Sequence, residues 1–178
     1  AMGYTHYWRR PANLDAKRFA AFVEDVRALL AHLPQNTSTA GGFYADEPLV
    51  VRGPLGHGQP VVTPERVDFN GDGEGGCDME HESFDVAREL DPEHENEAPV
   101  EDFCKTARKP YDLLVTACLI ALKHHFREVA VWSDGDSADW AAGRELYERV
   151  LRPAAESGPW VTQAELHRGH EAPAGRAA

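Results

Sequence analysis

Lysine is scarce in this chain of 178 residues: four are present, Lys17, Lys105, Lys109 and Lys123. Cysteine is as sparse. Cys77, Cys104 and Cys118 make no even set, which argues against a disulfide framework and predicts a reducing, cytoplasmic setting. Long apolar runs are missing too. The longest, Leu113 to Leu122, is about half of what a membrane-spanning helix needs, so no membrane partner is expected. No basic, apolar, small-residue opening is present, so no secretory leader is expected.

What is present is ordinary in amount and uneven in placement. Apolar residues are 42% and charged residues 27% of the chain, which excludes a wholly disordered, collagen-like or coiled-coil protein. The formal net charge is −12, from 18 Lys and Arg against 30 Asp and Glu. Residues 72–102 hold 13 acids and one base, Arg88, and so carry the entire −12. The remaining chain is balanced, so the acidic total does not exclude nucleic acid as a partner. Glu89 to Glu101 has almost no apolar content and reads as a solvated, mobile acidic loop.

Periodicity predicts a single α+β domain over residues 2–152, a small and mainly antiparallel sheet packed with about three helices. Tyr4 to Trp8 is aromatic and reads as a first strand. Asp15 caps a helix whose apolar residues, Phe19 through Leu33, recur at spacings of three and four until Pro34. Leu49–Arg52, Val61–Phe69 and Glu82–Ala87 read as strands, with Asn70-Gly71 as a hairpin-type turn. Pro110 opens a helix that is apolar on every side and is therefore expected at the centre of the core. Val129–Trp132 reads as an interior strand, and Asp136 or Ser137 caps a third helix through Leu151. Trp160–Leu166 reads as an edge strand. Residues 153–178 read as a C-terminal extension, partly disordered.

Chemistry concentrates in Phe103-Cys104-Lys105-Thr106-Ala107-Arg108-Lys109-Pro110-Tyr111-Asp112. Three cations stand directly before a helix start, where free N–H groups and the helix dipole favour an anion. The same cations also fit simple neutralisation of the acidic arm or of Asp112. No Gly-rich loop precedes them, so this is not a Walker-type loop. Cys104, among those cations, is expected to have a lowered pKa and is the nucleophile candidate; a small buried cysteine is the alternative. Cys118 reads as core filling. On the first strand Tyr4, His6 and Trp8 share one face, so His6 is the acid–base candidate, with edge histidine satisfied by backbone as the alternative.

Cys77, Asp78, Glu80, His81 and Glu82 are ligand-type residues without a zinc-site spacing, and the calcium-loop likeness from Asn70 fails at His81. No metal site is assigned. Asp134, after the interior strand, faces a ligand crevice on one reading and caps a turn on the other.

Met2-Gly3-Tyr4-Thr5-His6-Tyr7-Trp8, Phe69-Asn70-Gly71, the cationic stretch from Phe103 to Asp112, and Ser133-Asp134-Gly135 with Asp139-Trp140 resemble a family of small bacterial and bacteriophage proteins with no established activity. The resemblance implies an intracellular protein whose distinctive segments share one site. The acidic insertion from Glu89 to Glu101 and the tail after Arg152 fall outside that resemblance and are expected to be peculiar to this chain.

The leading expectation is an enzyme of group transfer or hydrolysis acting on an anionic small molecule of nucleotide type. Lys105, Arg108 and Lys109 would hold the anion. Tyr7, Trp8, Tyr111 and Asp134 would complete the substrate site, and His6 and Cys104 would carry the chemistry. The alternatives are an accessory protein that binds a partner through its acidic arm, or a metalloprotein using Cys77 and His81. No cofactor or oligomeric state is assigned.

Overall fold

The first strand, β1 (Thr5–Arg10), sits between two antiparallel neighbours, β5 (Val100–Lys105) and β6 (Ala130–Ser133). A computed structural model of the chain describes residues 3–37, 44, 46–91, 93, 99–151 and 166. A second antiparallel sheet is ordered β2 (Val61–Thr63), β3 (Arg66–Phe69) and β4 (Phe84–Ala87). Three helices, α1 (Ala16–Ala31), α2 (Asp112–His125) and α3 (Ala141–Leu151), complete the described fold, which is α+β as expected.

Local chemistry accounts for most of these elements. The Asp15 carboxylate accepts the Arg18 N–H at 2.9 Å and starts α1. The helix then buries Phe19, Phe22, Val23, Val26 and Leu29 as its apolar stripe requires. Helix α2 buries every residue from Leu113 to Lys123, and α1, α3 and β6 pack around it. Trp8 meets Phe84 at 5.4 Å and Phe84 meets Phe69 at 5.1 Å between ring centroids, so the two sheets share one core.

Four sequence expectations are corrected. Val61–Phe69 is a hairpin, not one strand, because Pro64 cannot donate to a ladder and the Thr63 hydroxyl gathers the N–H groups of Glu65 and Arg66. Leu49–Arg52 makes one isolated bridge, Arg52 to Asn70, and no strand. Asn70 does not close a two-residue turn. Its side chain binds the N–H groups of Gly71 and His81, the His81 carbonyl and the Ser83 hydroxyl, closing the longer loop between β3 and β4. Finally, the acidic segment ends inside β5, where Glu101 and Val100 pair with Arg9 and Arg10. The stretch read as a helix approach therefore begins as a strand. Residues 92 and 94–98 of the acidic loop lie outside the described residues. So does the C-terminal extension, except Leu166, which is helical and buried where an edge strand was expected.

Asp68 is a local strain in the second sheet. It faces Asp85 across the ladder, and its Oδ1 is buried without a partner. Burial and the Asp85 charge push its carboxyl up to about 6, against the opposing Arg66. A carboxyl raised in the folded state adds stability below its unfolded value, and that stability is lost as pH rises to about 6. Asp68→Asn is therefore expected to match the parent near pH 3 and to exceed it by about 1–3 kcal/mol at pH 7.5. Urea melts at the two pH values check this; an equal gain at both would refute it.

Candidate functional site

Three elements that are remote in sequence meet behind β1. His6 is fully buried; its Nδ1 lies 2.8 Å from the Ser133 Oγ on β6, and its Nε2 lies 2.6 Å from the Asp112 Oδ1 at the start of α2. The Thr106 hydroxyl donates to the same Oδ1 at 2.6 Å. The Gly135 N–H donates to the Ser133 Oγ at 2.9 Å. One proton arrangement satisfies every group: Ser133 donates to His6 Nδ1, and Nε2–H donates to Asp112. Tyr4 and Trp140 pack edge-on against the imidazole at 5.0 and 5.2 Å and fix its plane.

The turn after β5 is bent to serve this cluster. Ala107 and Arg108 both adopt positive φ, at 52° and 60°, a conformation disfavoured by roughly 1–2 kcal/mol for each side chain with a Cβ. The bend lays the Arg108 guanidinium 4.0 Å over the Tyr4 ring and pairs it with Asp139. Burial raises the Asp139 carboxyl, but bonds from Arg108 and the Asp136 N–H outweigh it and hold the group below the usual range. The Tyr4 hydroxyl is pushed up by burial and by the Asp112 and Asp139 charges, so it stays a phenol.

A cavity of about 310 Å³ opens between the starts of α2 and α3, walled by Arg108, Asp112, Leu113, Thr116, Asp139 and Glu145. Asp112 is the member of the Ser133–His6–Asp112 chain that reaches it. These are the residue types of a serine-hydrolase triad. Here, however, the carboxylate faces the cavity and Ser133 is not among its lining residues.

The sequence-predicted residues separate into three groups. His6 and Arg108 belong to this site. Lys105 and Tyr7 project from the other face of the first sheet, by strand alternation. The rest are held by the fold. Cys104 is fully buried and its thiol donates to the Glu82 carbonyl at 3.4 Å. Burial, then the Asp112 and Glu82 charges, push that thiol well above its usual range, the reverse of the activated thiolate expected among cations. Trp8 is core. Tyr111 is buried and donates to the Glu82 carbonyl at 2.6 Å. Lys109 also lines the cavity, but its ammonium is spent on the carbonyls of Asp78 and Glu80, each at 2.7 Å. Asp134 accepts the Thr5 N–H at 3.0 Å and pins the end of the sheet.

Nor are the first N–H groups of α2 free. Those of Asp112, Leu113 and Leu114 bond the carbonyls of Lys109, Pro110 and Tyr111. Cys118 is buried core, as expected. Among the described residues no group of three or more His, Cys, Asp or Glu could hold a metal ion, and no helix is long and apolar enough to cross a membrane.

Sequence reasoning missed Asp112, Thr106 and Ser133 as site residues. Asp112 and Ser133 lie 106 and 127 positions from His6, so no spacing could connect them. No protein-family model, no curated protein and no solved structure matches this chain.

Proposed function

We propose that the chain is an enzyme of group transfer or hydrolysis that works by general acid–base catalysis on a small polar molecule in this cavity. Asp112 is the base. It takes a proton from a substrate hydroxyl or a water; that oxygen bonds to the transferred phosphoryl or acyl centre, the bond to the leaving oxygen breaks, and the leaving oxygen takes back the proton from Asp112. His6 and Thr106 both donate to the Asp112 Oδ1 and hold the carboxylate in one orientation, and Ser133 holds the imidazole tautomer. The observation that carries this reading is the buried hydrogen-bonded chain that reaches the cavity only through its carboxylate.

Arg108 supplies the anion contact. Its side chain is 51% exposed at the cavity wall and its pairing with Asp139 leaves other guanidinium N–H groups unspent. The substrate class is therefore a small hydroxylated anion such as a nucleoside monophosphate or sugar phosphate, with its hydroxyl at Asp112 and its anionic group at Arg108.

A thermal-shift panel of nucleoside monophosphates and sugar phosphates tests this, with each binder then followed for turnover by NMR. At least one compound is expected to raise the melting temperature, and Arg108→Ala to abolish that rise. Asp112→Asn is expected to keep binding and lower turnover by ~10²–10⁴-fold. A panel without a binder, or full turnover in Asp112→Asn, refutes the proposal.

A further inference from the structure

The outer face of the first sheet carries a row of three aromatic residues on adjacent strands. Tyr7 on β1 pairs in register with Phe103 on β5 and with Trp132 on β6. The Tyr7 and Trp132 rings are stacked, 5.7 Å apart and 10° from parallel, with the Arg9 guanidinium 5.5 Å from the Trp132 ring centre. Phe103 continues the row with 56% of its surface exposed, where strand burial would have covered an aromatic of purely structural use.

The cations on this face are the second observation. Acids outnumber bases in the chain by 30 to 18, and most described Lys and Arg side chains are engaged by carboxylates or carbonyls. Among the described residues Arg9, Lys17 and Lys105 make no hydrogen bond or ion pair through their side chains. Two of these three, Arg9 and Lys105, flank the aromatic row. Glu101 is the ladder partner of Arg9, but no ion pair joins their side chains. Lys105 stands opposite Thr5, four residues from Arg9 along β1, or about 13 Å at ~3.3 Å per residue. That distance is too great for one phosphate and suits separate phosphates of a strand.

We propose that this face binds single-stranded nucleic acid, with Phe103 stacking an unpaired base and Arg9 and Lys105 meeting phosphates on either side of it. Trp132 is buried at 8% exposure and Tyr7 is half-buried, so Phe103 is the ring open to a base; every base has a π-face, and this ring takes a strand without reading its sequence. Paired bases are closed to it. A free mononucleotide, with its single phosphate position, satisfies one cation and not both.

Fluorescence anisotropy with labelled oligo(dT) and oligo(rU) of about 15 nucleotides tests the proposal at about 50 mM salt. At least one oligonucleotide is expected to bind, more weakly as salt rises. A duplex of the same length and a mononucleotide are expected to bind at least tenfold more weakly. Phe103→Ala is expected to weaken strand binding by about 10–100-fold, while Phe103→Tyr, which keeps a ring, binds like the parent. Lys105→Ala is expected to lower the slope of log affinity against log salt by about 0.7. Melting temperatures of these surface variants, expected to match the parent, establish that the fold is intact. The proposal is overturned if neither oligonucleotide binds, if the duplex binds as well as the strand, or if Phe103→Ala binds like the parent.

Discussion

Replacing Arg10 with Met is expected to unfold the protein or to cost about 3–5 kcal/mol, against a total stability of roughly 5–15 kcal/mol for a domain of this kind. Arg10 is 1% exposed, on the inward face of β1. Its guanidinium donates to four backbone carbonyls, those of Pro11, Ala12, Ala87 and Arg88. Burial lowers its pKa to about 10, with Asp102 and Asp85 opposing the shift, so it remains a cation at neutral pH. Two of those carbonyls lie at the end of β4 and two in the chain leaving β1, so this one side chain ties the two sheets together.

Methionine fills the volume but donates nothing. The four carbonyls would then be left without the donors that now satisfy them, at roughly 1–3 kcal/mol for each one that water cannot reach. Lysine restores the charge but not the planar fork, so Arg10→Lys is expected to recover only part of the loss. Urea denaturation with circular dichroism reads the series. A loss below about 1 kcal/mol for Arg10→Met would show that the carbonyls find other donors.

Gly143→Val is expected to separate α3 from α2. A Cβ at position 143 would overlap the Thr116 hydroxyl and lie 2.8 Å from the Thr116 Cβ and 3.0 Å from the Ala117 backbone nitrogen. The hydroxyl could turn away, but the backbone nitrogen belongs to the central helix and cannot. Overpacking at such a crossing costs typically 1–3 kcal/mol or more, and valine adds a second branch. Gly143→Ala is a milder case, partly offset by the better helix propensity of alanine, worth about 1 kcal/mol. Adding Thr116→Ala to Gly143→Ala removes the nearest atom, so the double variant is expected to be more stable than the sum of the two single effects predicts. Gly143 and Thr116 also line the cavity, so ligand binding is expected to weaken together with stability. Additive single and double effects would refute a direct clash.

The sequence alone determined the elements whose signals are local. Spacings of three and four made α1 and its buried face legible, and an all-apolar run placed α2 at the centre. Alternation correctly assigned His6 and Trp8 to one face of β1, with Tyr4, just before the strand, packed against His6 on that side. What sequence could not decide were the partners. Strand β5 was obscured because Val100 to Lys105 mixes acids with apolar residues, and it becomes a strand only through pairing with β1. The cations before α2 looked available for an anion because charge can be counted in sequence, whereas the carbonyls that hold Lys109 and the carboxylate that pairs with Arg108 come from distant loops. Cys104 looked reactive beside Lys105, but neighbours along a strand point to opposite faces, so the thiol met burial and not positive charge. The Ser133–His6–Asp112 chain and the aromatic row of Phe103, Tyr7 and Trp132 exist only because β1 lies between β5 and β6. Spacing along a chain carries no information about which remote residues a three-stranded sheet and the helix behind it bring within a few ångströms.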